Sequence, residues 1–170
     1  MISPSEALNR GFVLDDQSAV QSAAVAEQIG LTTHAVAIGD VGLLLPSEEV
    51  SEIVDRLPVC KLPNTPSWFS GVVSLRGNIT PVFDLHHLFG VSVSSPNRRL
   101  IIIGAGETAV SFWVEQMPVV VAVSAEDVMA GEPPLPATIR NHANRYFLKD
   151  NQIWVDWNVR QFFFALGKQL

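Results

Sequence analysis

The stretch that decides the fold is GVVSLRGNITPVFDLHHLFG, residues 71–90. Gly71 to Leu75 and Ile79 to Phe83 are short apolar runs rich in β-branched residues, the character of strands. Between them Arg76-Gly77-Asn78 reverses the chain, with the Gly-Asn pair expected to supply the turn. Pro81 has no N–H for a ladder, so its strand is expected at a sheet edge or at a bulge. Asp84 then stands where a helix cap belongs, and Leu85 to Phe89 form a short helix closed by Gly90.

The same pattern continues outward. Upstream, His34 to Ile38 and Val41 to Leu45 flank Gly39-Asp40, a second hairpin. Pro46-Ser47-Glu48-Glu49 reads as a helix start, with Ser47 as the cap and two acids at the positive end of the dipole. Val50, Ile53 and Val54 follow at helical spacing, which predicts a helix over 47–55. Leu62 to Pro66 is a turn-rich link. Downstream, Leu100 to Ile103 and Thr108 to Val114 make a hairpin, Pro118 to Val123 another apolar strand, and residues 132–142, with three prolines, a loop. Tyr146 to Lys149 and Gln152 to Val155 flank Asp150-Asn151, and Asp156 is the expected cap of a last helix over about 157–166. The order strand, Asp, helix, Gly thus occurs twice, at Val82–Gly90 and Ile153–Gly167. Short strands at regular spacing favour an all-β chain with short helices, built as two small barrels rather than one parallel sheet.

Bulk composition narrows the function. The chain has 170 residues and a formal charge of −6, with no basic cluster beyond Arg98-Arg99. Nucleic acid needs a positive face to displace phosphate counterions, so it is excluded as a partner. The apolar fraction is 48%, the charged fraction only 16% and the mean hydropathy +0.26, which points to apolar surface used on partners as well as in a core. The richest run, Leu100 to Val114, is broken by Gly104, Gly106 and Glu107, so no direct membrane insertion is expected. The N-terminus carries Glu6, Arg10, Asp15 and Asp16 without an apolar core segment, unlike a signal peptide. A cytoplasmic location follows. Residues 1–30 read as an extension, partly helical (Ser5–Asn9 and Ser18–Ile29) or disordered, ahead of a main domain at 31–168.

Catalytic chemistry finds little support. Gly104-Ala-Gly106-Glu-Thr-Ala109 matches a dinucleotide fingerprint, with Glu126 twenty residues past Gly106. The fingerprint needs a helix next, but Thr108 to Val114 reads as a strand. His86 and His87 are adjacent on one short helix and diverge by about 100°, so they do not share a metal; they are expected to be solvated. Cys60, the only cysteine, has no catalytic neighbourhood and is expected to be a small core residue. Ser67, Ser70 and Ser74 lack a nucleophile elbow. The run Phe162 to Phe164 is expected in the core. No catalytic residue, cofactor or metal is expected.

Four blocks carry a family likeness: Val50-Ser-Glu-Ile53, Leu62-Pro-Asn-Thr-Pro66, Gly71-Val-Val-Ser-Leu-Arg-Gly77 and Ile79-Thr-Pro-Val-Phe-Asp-Leu85. In order and spacing they resemble the signature half of CheW-like chemotaxis coupling domains, while Leu100 to Gly167 fits more loosely. Ile38 to Pro46, Thr65 to Trp68 and the extra N-terminal segment resemble the PilI-type members, which serve type IV pilus and twitching arrays. Ser74 departs from the family's usual Asn. The resemblance implies two five-stranded SH3-like barrels with an apolar seam, and a non-catalytic adaptor. One barrel would meet the regulatory domain of a CheA-type histidine kinase, and a groove near the seam the cytoplasmic tip of a methyl-accepting chemoreceptor. Partner contact is expected at Val50, Glu52, Ser74, Leu75 and Arg76, with a Glu52–Arg76 ion pair ordering the groove. The rival readings are an adaptor of another array, such as flagellar chemotaxis, and a dinucleotide-dependent enzyme using Gly104–Ala109.

Overall fold

A computed structural model describes residues 30–55 and 57–170. The helical patches read in the first 30 residues lie, Gly30 apart, outside the described residues. The elements, in order, are β1 (Leu31–Ile38), β2 (Val41–Leu45), β3 (Val50–Val54), β4 (Phe69–Leu75), β5 (Asn78–Phe83), α1 (Leu85–Phe89), β6 (Arg99–Ile103), β7 (Val110–Val114), β8 (Val119–Val123), α2 (Ala137–Arg140), β9 (Ala143–Lys149), β10 (Gln152–Trp157) and α3 (Val159–Gly167).

The strands form two five-stranded sheets, ordered β8-β1-β2-β10-β9 and β3-β6-β7-β5-β4. The units are not sequential halves, as the repeated rhythm suggests. The second sheet is one continuous insertion, and the first is split across both sides of it. Pairing is antiparallel except where β10 meets β2 and β5 meets β7. The edges of the split sheet come together: Val128 bridges Phe147, and the Lys149 ammonium donates to the Ala122 carbonyl.

The hairpins form as read. Ile38 pairs Val41 around Gly39, which sits at φ 60°, and Asp150 and Asn151 both adopt positive φ. The turn between β4 and β5 is Arg76-Gly77, not Gly-Asn. Leu75 pairs Asn78, and Arg76 (φ 49°) and Gly77 (φ 85°) take the left-handed conformations of a tight turn. Strand β5 lies inside its sheet. Its pairing with β7 begins only at Val82, so Pro81 falls beyond that register, and its carbonyl accepts from the Ser111 hydroxyl.

The helix expected over 47–55 is absent, because Val50–Val54 is strand β3, paired with β6. A register shift between Val50 and Glu52 breaks strict alternation, so three β-branched residues at 50, 53 and 54 imitate a helical stripe. Ser47 caps nothing: its hydroxyl meets that of Thr33 at 2.9 Å. Asp84 does cap α1, accepting from the His87 N–H at 3.3 Å, and Gly90 closes it at φ 70°. The last helix is capped by Asn158, not Asp156, which stays in β10 and pairs with Arg145 at 3.2 Å. The proline loop contains the short helix α2.

One apolar core joins the sheets. Leu43, Leu45, Val155 and Trp157 from the split sheet cluster with Phe83, Ile101 and Phe112 from the inserted one. Helix α3 bridges them: the Phe163 ring lies 4.9 Å from Phe83, 5.7 Å from Phe112 and 5.9 Å from Trp157. Phe162 and Phe163 are buried as expected, but Phe164 is 67% exposed, since consecutive helical side chains point about 100° apart. Cys60 is exposed: its backbone bridges Val72 in both directions, and its thiol is left outside the core.

Candidate partner-binding surface

Glu52 rises from β3, opposite Ile102, and Arg76 stands at the apex of the β4–β5 hairpin. Arg76 Nη2 donates to Glu52 Oε2 at 2.6 Å, an ion pair between residues 24 apart in sequence. The Arg76 side chain is 79% exposed and that of Glu52 only 23%. Glu52 therefore acts as a fixed anchor that holds a projecting guanidinium. Ser74 is exposed and Leu75 half-buried, and Val50 joins the same strand as Glu52, paired with Ile103. Glu52, Leu75 and Arg76 line one cleft of about 60 Å³ with Thr80 and the Gly104–Gly106 turn. The Thr80 hydroxyl, fully buried, has no protein partner among the described residues.

Arg76 is held at positive φ, a region where glycine and asparagine are at ease and other residues are strained by roughly 1 kcal/mol or more. A folding requirement alone would favour Gly or Asn there. Ile79, next to the turn, is 66% exposed and extends the patch with an apolar side chain.

Sequence reasoning missed a second surface. On β8 and just before it, Met117, Val119 and Val120 are 52%, 51% and 65% exposed. The signal was incomplete: consecutive valines place side chains on both faces of a strand, and only the tertiary fold decides whether both faces are covered, as they are for Val41 to Leu45.

It also missed a buried charged cluster. His86, on α1, is fully buried, contrary to the solvated reading, because Leu85 and His86 form the inward face of a one-turn helix. Its Nδ1 lies 3.8 Å from Asp84 Oδ1 and its Nε2 3.4 Å from Glu115 Oε2, and neither nitrogen makes a hydrogen bond. Burial pushes the His86 pKa below its ordinary value, outweighing the pull of the two carboxylates. Burial alone would raise Asp84, but hydrogen bonds from Arg98 and His87 hold it below the usual carboxylate value. Glu115 is likewise lowered, against burial, by the Ser95 and Ser94 donors that pin the loop before β6. This cluster ties loop to barrel.

The Gly104–Ala109 stretch does not form a dinucleotide site. Gly106–Thr108 is a single 3-10 turn that leads into β7, so no helix N-terminus faces a pyrophosphate. Among the described residues, no group of three or more His, Cys, Asp or Glu side chains is placed to hold a metal ion, and no helix is long and apolar enough to cross a membrane.

Two small five-stranded sheets thus share one core, with the Glu52–Arg76 pair at the surface of the inserted one. The model of the CheW-like domain matches residues 34–162, and the chain belongs to that family. Chemotaxis protein CheW of Helicobacter pylori is 26% identical over 109 residues, which cover 63% of this chain and 64% of that protein. Protein FrzA of Myxococcus xanthus is 37% identical over 67 residues, 38% of this chain and 42% of that protein. These matched stretches thus span less than two thirds of the relatives' lengths. The crystal structure of scaffolding protein TtCheW from Thermoanaerobacter tengcongensis superposes with a TM-score of 0.66 at 20% identity, over 84% of this chain and 98% of that one. The two sheets are therefore the two SH3-like barrels of the CheW fold, and the family is one of non-catalytic adaptors.

Proposed function

We propose that this chain couples chemoreceptors to a CheA-type histidine kinase in a cytoplasmic chemosensory array, and that the array controls type IV pilus twitching. Residues 31–168 are the coupling domain and residues 1–30 an extension specific to this type. The carrying observation is Arg76: an exposed guanidinium, anchored by Glu52 at 2.6 Å, on a turn residue whose backbone would prefer glycine. A charge fixed in advance loses little freedom on binding a carboxylate. Val50, Glu52, Ser74, Leu75 and Arg76 are assigned to the kinase regulatory domain. The exposed apolar row on β8 suits the helical tip of a receptor. The adaptor transmits signal only through its differential affinity for the kinase states.

A second reading places the chain in a chemotaxis array of another kind, and relatives that carry the name CheW favour it. Deleting the gene separates them, since loss of twitching with normal swimming supports the pilus array and the converse supports the other.

Binding to the regulatory domain of the cognate kinase tests the site. Arg76→Gly relieves the turn, so folding is unchanged or slightly improved, while affinity falls about tenfold or more, ~1.4 kcal/mol. Glu52→Ala and Arg76→Gly combined give less than the sum of the single losses, because both act through one pair. Wild-type affinity in Arg76→Gly would remove the site assignment. Failure of the unaltered chain to bind kinase or receptor would remove the function.

A further inference from the structure

An apolar groove of about 520 Å³ runs between α3 and the inserted barrel, and none of the partner-binding residues above lines it. Its walls are Phe83, Ile103, Val110, Phe163 and the exposed Phe164. Two cations stand on its rim. Arg160 Nε donates to Glu49 at 2.9 Å, yet its side chain is 66% exposed and open to a second carboxylate. Lys168 lies 4.5 Å over the Phe164 ring and has no ion pair among the described residues. An apolar trough with cations at its edge fits a short apolar segment followed by acids.

The chain itself carries such a segment, Phe12-Val13-Leu14-Asp15-Asp16. Its tether enters at the right end of the molecule. The described chain begins at Gly30, and Thr33 on β1 bonds the Leu45 carbonyl and the Ser47 hydroxyl. Ser47 is two residues from Glu49, which lines the groove and holds Arg160. The stretch from Gln17 to Ile29 can extend to about 45 Å, at up to ~3.5 Å per residue. Tethering also raises the segment's effective concentration to about the millimolar range, so modest complementarity suffices.

We propose that Phe12–Leu14 occupy this groove in cis, with Asp15 and Asp16 facing Arg160 and Lys168. The occupant is the chain's own N-terminal segment rather than a second copy or a foreign helix, because reach and charge both match. Gly104 lines both this groove and the Glu52–Arg76 cleft, so a docked segment lies beside the proposed kinase surface and is placed to modulate it. The inference does not depend on that function, and its test involves no partner.

A nitroxide on the full chain tests it, attached at Ser18→Cys in a Cys60→Ser background and read through amide line broadening. The expected result is loss of signal at Val159, Phe163, Phe164 and Lys168, restored in Asp15→Lys/Asp16→Lys and in Phe12→Ser. A mixture of labelled, isotope-silent chain with unlabelled, isotope-visible chain gives no such loss if docking is in cis. Loss that appears in that mixture assigns the groove to a second copy and overturns the proposal. So does loss centred on β8, or an absence of loss at α3.

Discussion

The two barrels bury different chemistry. Among the described residues, the fully buried polar residue of the split barrel is Thr33, whose hydroxyl is satisfied by the Leu45 carbonyl, while the half-buried Thr138 and His142 between β8 and β9 each enclose one polar atom without a protein partner. Among the described residues, the inserted barrel and its helix α1 hold four fully buried polar residues, Thr80, Asp84, His86 and Ser111. The polar cluster and the anchored arginine thus share one continuous insertion, while the split barrel supplies the exposed apolar row. The proposed contacts of one barrel are therefore directional and those of the other apolar. A fold of two similar sheets supports this division because each proposed partner-facing feature rests on a separate strand set. The comparison makes α3 critical, since it packs on both.

The largest expected effect comes from breaking that bridge. Phe163→Ala removes ring contacts to Phe83, Phe112 and Trp157 at once. Loss of a buried aromatic costs ~3–5 kcal/mol, which lowers Tm by roughly 10 °C for a chain this size. Trp113 reports on the inserted barrel and Trp154 on the split one, so single-tryptophan variants follow each separately in denaturant. The shared core predicts coincident transitions, before and after the substitution. Two separated transitions would show the barrels to be independent units.

How much of this was legible depended on whether the signal was local. Turns and caps are written in adjacent residues, so the hairpins at Gly39-Asp40 and Asp150-Asn151 and the Asp84 cap could be read directly. The β3 error arose because five residues with a bulge carry no distinctive period, and β6, the partner that makes them a strand, lies about fifty residues away. The interleaving of the barrels was hidden for the same reason: β10 joins β2 across more than one hundred residues, and only tertiary pairing shows it. In the site, the Glu52–Arg76 pair came from family likeness, since the helix assumed for Glu52 was wrong. His86 looked solvated because its two carboxylate neighbours, Asp84 and Glu115, come together only through α1 and β7.

Each barrel also has a glycine where two backbones approach, and these sharpen the comparison at intermediate size. A Cβ on Gly71, at φ +129°, would lie 2.1 Å from the Cys60 carbonyl oxygen, which is locked by the Cys60–Val72 bridge. A Cβ on Gly42 would lie 2.4 Å from the Trp154 ring and 2.7 Å from the Ile153 carbonyl. Both sites press on backbone, but only Gly71 also takes a φ that L side chains rarely adopt. Gly71→Ala is expected to cost about 3 kcal/mol or more, adding backbone strain to overlap, and Gly42→Ala about 2 kcal/mol. Urea denaturation of both variants checks the order. Equal losses would mean that the inserted barrel relaxes as easily as the split one.

The smallest effect concerns the buried histidine, and its sign separates the barrels by pH. Burial lowers the folded pKa of His86 below 6.5. At mildly acidic pH the unfolded chain therefore binds a proton there that the folded chain refuses. Stability falls as pH drops through about 6.5 and levels off once the folded pKa is passed. Asp84 acts in a lower window. Its folded pKa lies below 3.8, so its contribution is present above that value and is lost as pH falls through the folded one. His86→Gln removes the upper window and leaves the lower one. Between about pH 7 and 5 the wild-type chain is expected to lose more stability than the variant, measured as a difference in slope rather than in absolute stability. A variant with the wild-type slope would mean that His86 is as easily protonated in the fold as outside it. The carboxylates of Asp84 and Glu115 would then balance its burial, and His86 would take up its proton in the inserted barrel as it does in the unfolded chain.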